Sequence, residues 1–192
     1  MRLHSGDALI VVDVQRDFLP GGALPVPGGD EIVPVLNGYL RRFEAARLPM
    51  VATRDWHPRN HCSFSARGGP WPEHCVQGSP GAGFPDDLQL PGDVRVFSKG
   101  TEAERDAYSG FDGTSLDAYL RDIGVQRLFV GGLATDYCVL ATVTDAAAAG
   151  FEVLVLRDAI RAVNVAVGDE ENALAAMQDS GATLVSQIDI DG

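Results

Sequence analysis

Three short apolar runs in this 192-residue chain each end on a side chain with chemistry. Cys138 follows RLFVGG (127 to 132) through the turn 133–137 and stands at the start of an alanine-rich stretch expected to be a helix over 136–149. A thiol at a helix N-terminus meets unpaired N–H groups and the positive end of the dipole, which favour the thiolate. On its own, a cysteine there is more readily read as a small buried residue packing the turn. Asp13 closes ALIVVDV (8 to 14) and Lys99 closes DVRVFSK (93 to 99). Asp13 reads either as a cap for the turn that follows it or as a general acid/base whose pKa is raised by burial. Lys99 reads either as a solvated cation or as a charge standing between carboxylate and thiol, stabilising both anions.

A second group lies in TRDWHPRNHCSF (53 to 64) and the segment around His74. Asp55 and His57 are two apart on an extended segment, so both side chains leave the same face. With His74 they make an oxygen, nitrogen, nitrogen set that suits Zn²⁺ first, and Mn²⁺ or Fe²⁺ as well, with positions left open for water or substrate. The competing reading makes Asp55 a turn cap and the two histidines loop residues. His61 is open between a fourth ligand, a supporting group and a surface residue. Phe18, Trp71 and Tyr108 could line a slot for a flat ring or serve simple packing.

The elements that must position these groups follow from the pattern. Runs 8–14 and 48–54 are continuous and rich in β-branched residues, as in strands covered on both faces. Between them, 30–46 places Ile32, Val33, Leu36, Leu40 and Phe43 at helical spacing, with Asp30 as the expected N-cap and Pro34 tolerated in the first turn. Further strands are expected at 93–99, 127–132, 151–158 and 182–186, with helices near 114–122, 136–149 and 168–180. Six strands alternating with helices imply a three-layer α/β/α domain spanning 1–192 with a mainly parallel sheet and right-handed crossovers. Such sheets bind ligands outside the carboxyl ends of their strands, where Asp13, Asp55, Lys99 and Cys138 all fall. The loop 55–92 is too long for a mere connection and holds both tryptophans and three of the four histidines.

Composition narrows the class. A formal net charge of −12 disfavours any partner that presents phosphates, which excludes nucleic acid. No apolar run approaches the roughly 18 to 20 residues that span a bilayer, and the N-terminus reads as a first strand with no signal peptide, so a soluble, cytoplasmic protein is expected. Three cysteines without a secretory signal argue for reduced thiols.

The motifs VVDVQRDF (11 to 18), TRDWHPRNHCSF (53 to 64), WPEHCVQGSPGA (71 to 82), FSKGTEAERDAYSGF (97 to 111) and GLATDYCV (132 to 139) resemble, in order, those of the nicotinamidases within the isochorismatase-like cysteine hydrolases. The resemblance implies the hydrolase fold of that family, with Asp13, Lys99 and Cys138 as catalytic triad. It implies Asp55, His57 and His74 as ligands of one divalent transition metal ion, and Phe18, Trp71 and Tyr108 as residues holding the ring. It also implies a cis peptide between Leu133 and Ala134 that turns the Ala134 N–H, with that of Cys138, into an oxyanion hole. The activity implied is hydrolysis of nicotinamide to nicotinate and ammonia through a thioester, pyrazinamide being a further substrate, in NAD salvage and with a tendency to form homo-oligomers. Another amide or ureide hydrolase of the superfamily, of carbamoylsarcosine-amidase type, is the nearest alternative, separated by the Asp55, His57, His74 set.

Overall fold

In a computed structural model that describes residues 1–190, the chain folds around one six-stranded sheet. The strands are β1 (Asp7–Val12), β2 (Met50–Asp55), β3 (Arg95–Lys99), β4 (Arg127–Leu133), β5 (Glu152–Arg161) and β6 (Thr183–Val185), and the helices α1 (Ile32–Ala45), α2 (Leu116–Asp122), α3 (Leu140–Ala148) and α4 (Asp169–Asp179). All pairings are parallel, in the order β3-β2-β1-β4-β5-β6. The order reverses between β1 and β4, and a doubly wound sheet opens its ligand crevice beside such a switch point.

Every residue of β1 and β4 is buried, which explains their unbroken apolar runs. Successive side chains leave opposite faces. Leu9 and Val11 pack with α1 residues Ile32, Leu36 and Phe43, whereas Ala8, Ile10 and Val12 pack with Leu116, Val143 and Met177 from α2, α3 and α4. The result is the expected three layers, with α1 on one face and three helices on the other.

Some boundaries differ from expectation, each for a local reason. Asp30 is taken up in a 3₁₀ turn (Gly29–Glu31), so α1 starts at Ile32 and Asp30 does not cap it. A register shift between Val130 and Gly132 lets β5 continue to Arg161, past its expected end at 158. Gly132 has φ 133°, and a Cβ there would stand 2.0 Å from Val12 O, so only glycine lets β4 press this closely on β1 at the edge of the site. Cys138 sits inside a π-helical turn (Thr135–Val139), and α3 begins only at Leu140. Such widened turns recur at functional sites.

Candidate active site

Parallel strands bring their carboxyl ends to one edge, and four of the expected side chains meet there. Asp13 and Lys99 come from the ends of β1 and β3, Asp55 from the end of β2, and Cys138 from the turn after β4. Lys99 is almost wholly buried and makes four contacts: Nζ lies 2.8 Å from Asp13 Oδ2 and 2.5 Å from Asp55 Oδ1, and donates to Ala107 O at 3.3 Å and to Cys138 Sγ at 3.4 Å. Isolating an ammonium in the interior is costly, and two carboxylates offset that cost. Burial pushes the Lys99 pKa down, but Asp13 and then Asp55 outweigh it and hold the group charged well above the usual lysine range.

Burial acts on the acids in the opposite sense. It pushes Asp13 up; Lys99 opposes the shift without cancelling it, and Asp55 adds to it. At Asp55 the balance reverses, since burial is outweighed by Lys99 and His57, which hold this carboxyl well below the usual range. For Cys138 burial again dominates and pushes the thiol up, Lys99 opposing the shift without cancelling it. The residue lies within a π turn at the floor of the pocket, where Asp13 stands near as a proton acceptor.

Asp55, His57 and His74 bring one donor atom each within 4.8 Å of one another, all three residues buried. The hydrogen bonds settle which nitrogens face the group. His57 Nδ1 donates to Gly100 O at 2.9 Å and His74 Nδ1 to Pro72 O at 2.8 Å, which leaves the Nε2 lone pair of each ring for the site. Gly100 has φ 58°, and a Cβ there would come within 2.4 Å of the His57 ring, so glycine is needed to seat that ligand. These residues fit a divalent transition ion: one carboxylate oxygen and two imidazole Nε2 atoms, each ring oriented by a backbone carbonyl.

His61 does not join the set. Its Nε2 donates to Arg105 O at 3.1 Å, its Nδ1 pairs with the Ser63 hydroxyl at 2.7 Å, and its ring stacks on His57 at 4.1 Å. Both nitrogens are engaged, so His61 braces His57 from behind.

A pocket of about 380 Å³ opens over the thiol, lined by Phe18, Trp71, Tyr108, Tyr137, Val163 and Ala134 among others. The three aromatics expected from the sequence are all present. Trp71 Nε1 donates to Tyr108 Oη at 2.9 Å, and the Trp71 ring meets Tyr137 edge-on at 5.0 Å, which stiffens that wall. Tyr137 and Val163 were not expected. Tyr137 neighbours the nucleophile in sequence, and that adjacency was the available signal. The peptide between Leu133 and Ala134 is cis, as expected, and the Ala134 N–H has no hydrogen-bond acceptor among the described residues.

Two supporting residues were also missed. Gln15, fully buried, accepts from the Asp55 N–H at 2.7 Å and donates to Asp55 O at 2.8 Å and Ala82 O at 2.9 Å. Asp17 accepts from the Cys75 N–H at 2.7 Å, fixing the backbone beside His74. Cys75 packs in the apolar core with its thiol pushed up by burial, and the third cysteine, Cys62, is half-buried.

A doubly wound parallel sheet that carries a buried thiol, ammonium and carboxylate at one edge, with a nitrogen and oxygen donor set beside them, has the make-up of a cysteine-dependent hydrolase on a three-layer α/β/α fold. Comparison with known proteins is specific. The Isochorismatase domain family matches residues 7–189. The nicotinamidase of Escherichia coli (strain K12) is 40% identical, covering 95% of each chain. The solved pyrazinamidase of Pyrococcus horikoshii in complex with zinc superposes with a TM-score of 0.90 at 54% identity, over 94% of this chain and 99% of that one. PnC1 from L. infantum in complex with nicotinate gives 0.91 at 39% identity, over 100% and 98%. The chain belongs to the isochorismatase family, and within it to the nicotinamidases.

Proposed function

We propose that this protein hydrolyses nicotinamide to nicotinate and ammonia, accepting pyrazinamide as well, with Cys138 as nucleophile. The observation that carries the reading is the reach of Lys99 to Asp13, Asp55 and Cys138 at once, which joins a nucleophile, a base and a metal-binding set in one buried cluster. The relatives named for nicotinamide and pyrazinamide chemistry, and the nicotinate held by one of them, support the substrate assignment.

Phe18, Trp71 and Tyr108 hold the flat ring above the thiol. Asp13 takes the Cys138 proton as sulfur adds to the amide carbon, and Lys99 steadies the charge that moves between them. The oxyanion forms toward the N–H groups of Ala134 and Cys138. Asp13 returns its proton to the amide nitrogen, the C–N bond breaks, and ammonia leaves a thioester. A water then gives a proton to Asp13 and its oxygen to the thioester carbon; the C–S bond breaks and Cys138 regains the proton. Asp55, His57 and His74 would hold a divalent ion, Zn²⁺ by donor preference, which supplies a Lewis acid to anchor the ring nitrogen.

We place this activity in NAD salvage, carried by one hydrolase domain. No helix among the described residues is long and apolar enough to cross a membrane. The test is ammonia release from nicotinamide by metal-loaded protein, by chelator-stripped protein and by Cys138→Ala. Release that needs both the thiol and the metal is expected. Absence of release from folded, metal-loaded wild type overturns the reading.

A further inference from the structure

We propose that Thr53 is a positioning residue that fixes which oxygen of Asp13 carries the proton through both half-reactions, an inference that rests on the hydrolytic reading above. Thr53 lies on β2 beside the end of β1, and the Asp13 N–H donates to Thr53 O at 3.3 Å. The two residues are wholly buried. Thr53 Oγ1 donates to Asp13 Oδ1 at 2.6 Å, and the hydroxyl has no other acceptor among the described residues.

The Thr53 hydroxyl commits its single proton to the bond with Oδ1 and lowers the basicity of that oxygen. A proton taken up by Asp13 is thereby directed to Oδ2. That oxygen has Lys99 Nζ beside it at 2.8 Å as an ion-pair partner and no donor aligned with it in a hydrogen bond. An oxygen so placed can accept the Cys138 proton and hand it to the leaving nitrogen without breaking an existing bond. Cys138 Sγ and carboxylate oxygens of Asp13 and Asp55 lie within 4.8 Å of one another, so thiol and carboxylate face the same site.

The β-branch of Thr53 adds rigidity. Its Cγ2 packs so tightly on Gly110 that a Cβ there would come within 2.7 Å of it. With the methyl wedged, χ1 is fixed and the hydroxyl is aimed before substrate arrives. Asp13 itself has φ 48°, an uncommon backbone for a residue other than glycine, so two independent features orient this carboxylate.

The experiment pairs Thr53→Val, which keeps the shape and removes the hydroxyl, with Thr53→Ser, which keeps the hydroxyl and removes the methyl. Steady-state hydrolysis of nicotinamide is measured beside bound metal and thermal melting. Thr53→Val is expected to lose about 10- to 100-fold in kcat with KM and metal content unchanged, and Thr53→Ser to retain most of kcat. If Thr53→Val does not fold, Thr53→Ala against Thr53→Ser gives the same contrast. Full kcat in Thr53→Val, or an equal fall in the serine and hydroxyl-free variants, overturns the inference and leaves the hydrolytic reading standing. Wild type that releases no ammonia overturns both.

Discussion

Lys99 Nζ stands 2.5 Å from Asp55 Oδ1, while Oδ2 of the same carboxylate lies 3.7 Å from His57 Nε2. Asp55 thus belongs to two clusters, and through it the Lys99 ammonium beside the thiol and the donor set proposed for the metal are one buried network. A change on either side is felt on the other.

Removal of Lys99 tests that network through pH. Lys99 keeps its proton to a higher pH in the fold than in the free chain, so its ion pairs stabilise the protein fully below the ordinary lysine pKa of 10.5. Asp55, held below the ordinary 3.8, contributes above that pH and loses its contribution as pH falls further. In metal-free Lys99→Met two carboxylates are stranded, a loss of about 3–5 kcal/mol near neutrality. The deficit should shrink toward pH ~5 as the stranded acids take up protons. Urea unfolding at both pH values measures it, and an equal deficit at each would contradict the assignment.

Cys138→Ala should abolish ammonia release, by on the order of 10⁴-fold or more, while melting and metal content stay near wild type. The residue is buried but small, so loss of sulfur leaves little space. Mass spectrometry of quenched wild type should find the nicotinoyl adduct on Cys138, with Cys62 and Cys75 unmodified. An adduct on another cysteine would reassign the nucleophile.

His57→Ala removes a proposed ligand whose Nδ1 is already committed to Gly100 O. Bound metal after dialysis should fall well below one per chain, and substrate affinity with it, while the fold persists. Chelator-stripped wild type should lose activity and regain it with Zn²⁺. Retention of stoichiometric metal by His57→Ala would place the ion elsewhere.

Gln15→Leu removes three buried hydrogen bonds to main-chain groups of Asp55 and Ala82. Leaving those groups unpaired should cost about 2–4 kcal/mol of stability. Because Gln15 holds both peptide groups of a ligand, metal affinity by chelator competition should drop about 10- to 100-fold. Stability lost without any change in affinity would make Gln15 a structural residue only.

Much of this was legible in the chain itself. Asp13, Lys99 and Cys138 could be grouped from sequence because unbroken apolar runs separated by helices force a parallel sheet, and parallel strands deliver their last residues to one edge. Asp55 and His57 could be paired because side chains two apart on a strand share a face. The aromatics Phe18, Trp71 and Tyr108 came with the motifs around them.

What the tertiary structure alone decided depends on register and on partners far away in sequence. Thr53 meets Asp13 only because β2 pairs with β1 in that register, and Gln15 meets Asp55 for the same reason. His61 could not be excluded as a ligand by spacing, since Arg105 O, 44 residues on, takes up its Nε2. The helix-like turn at Cys138 is a local property that the chain itself shows, whereas the burial that pushes its thiol up is a property of the whole fold.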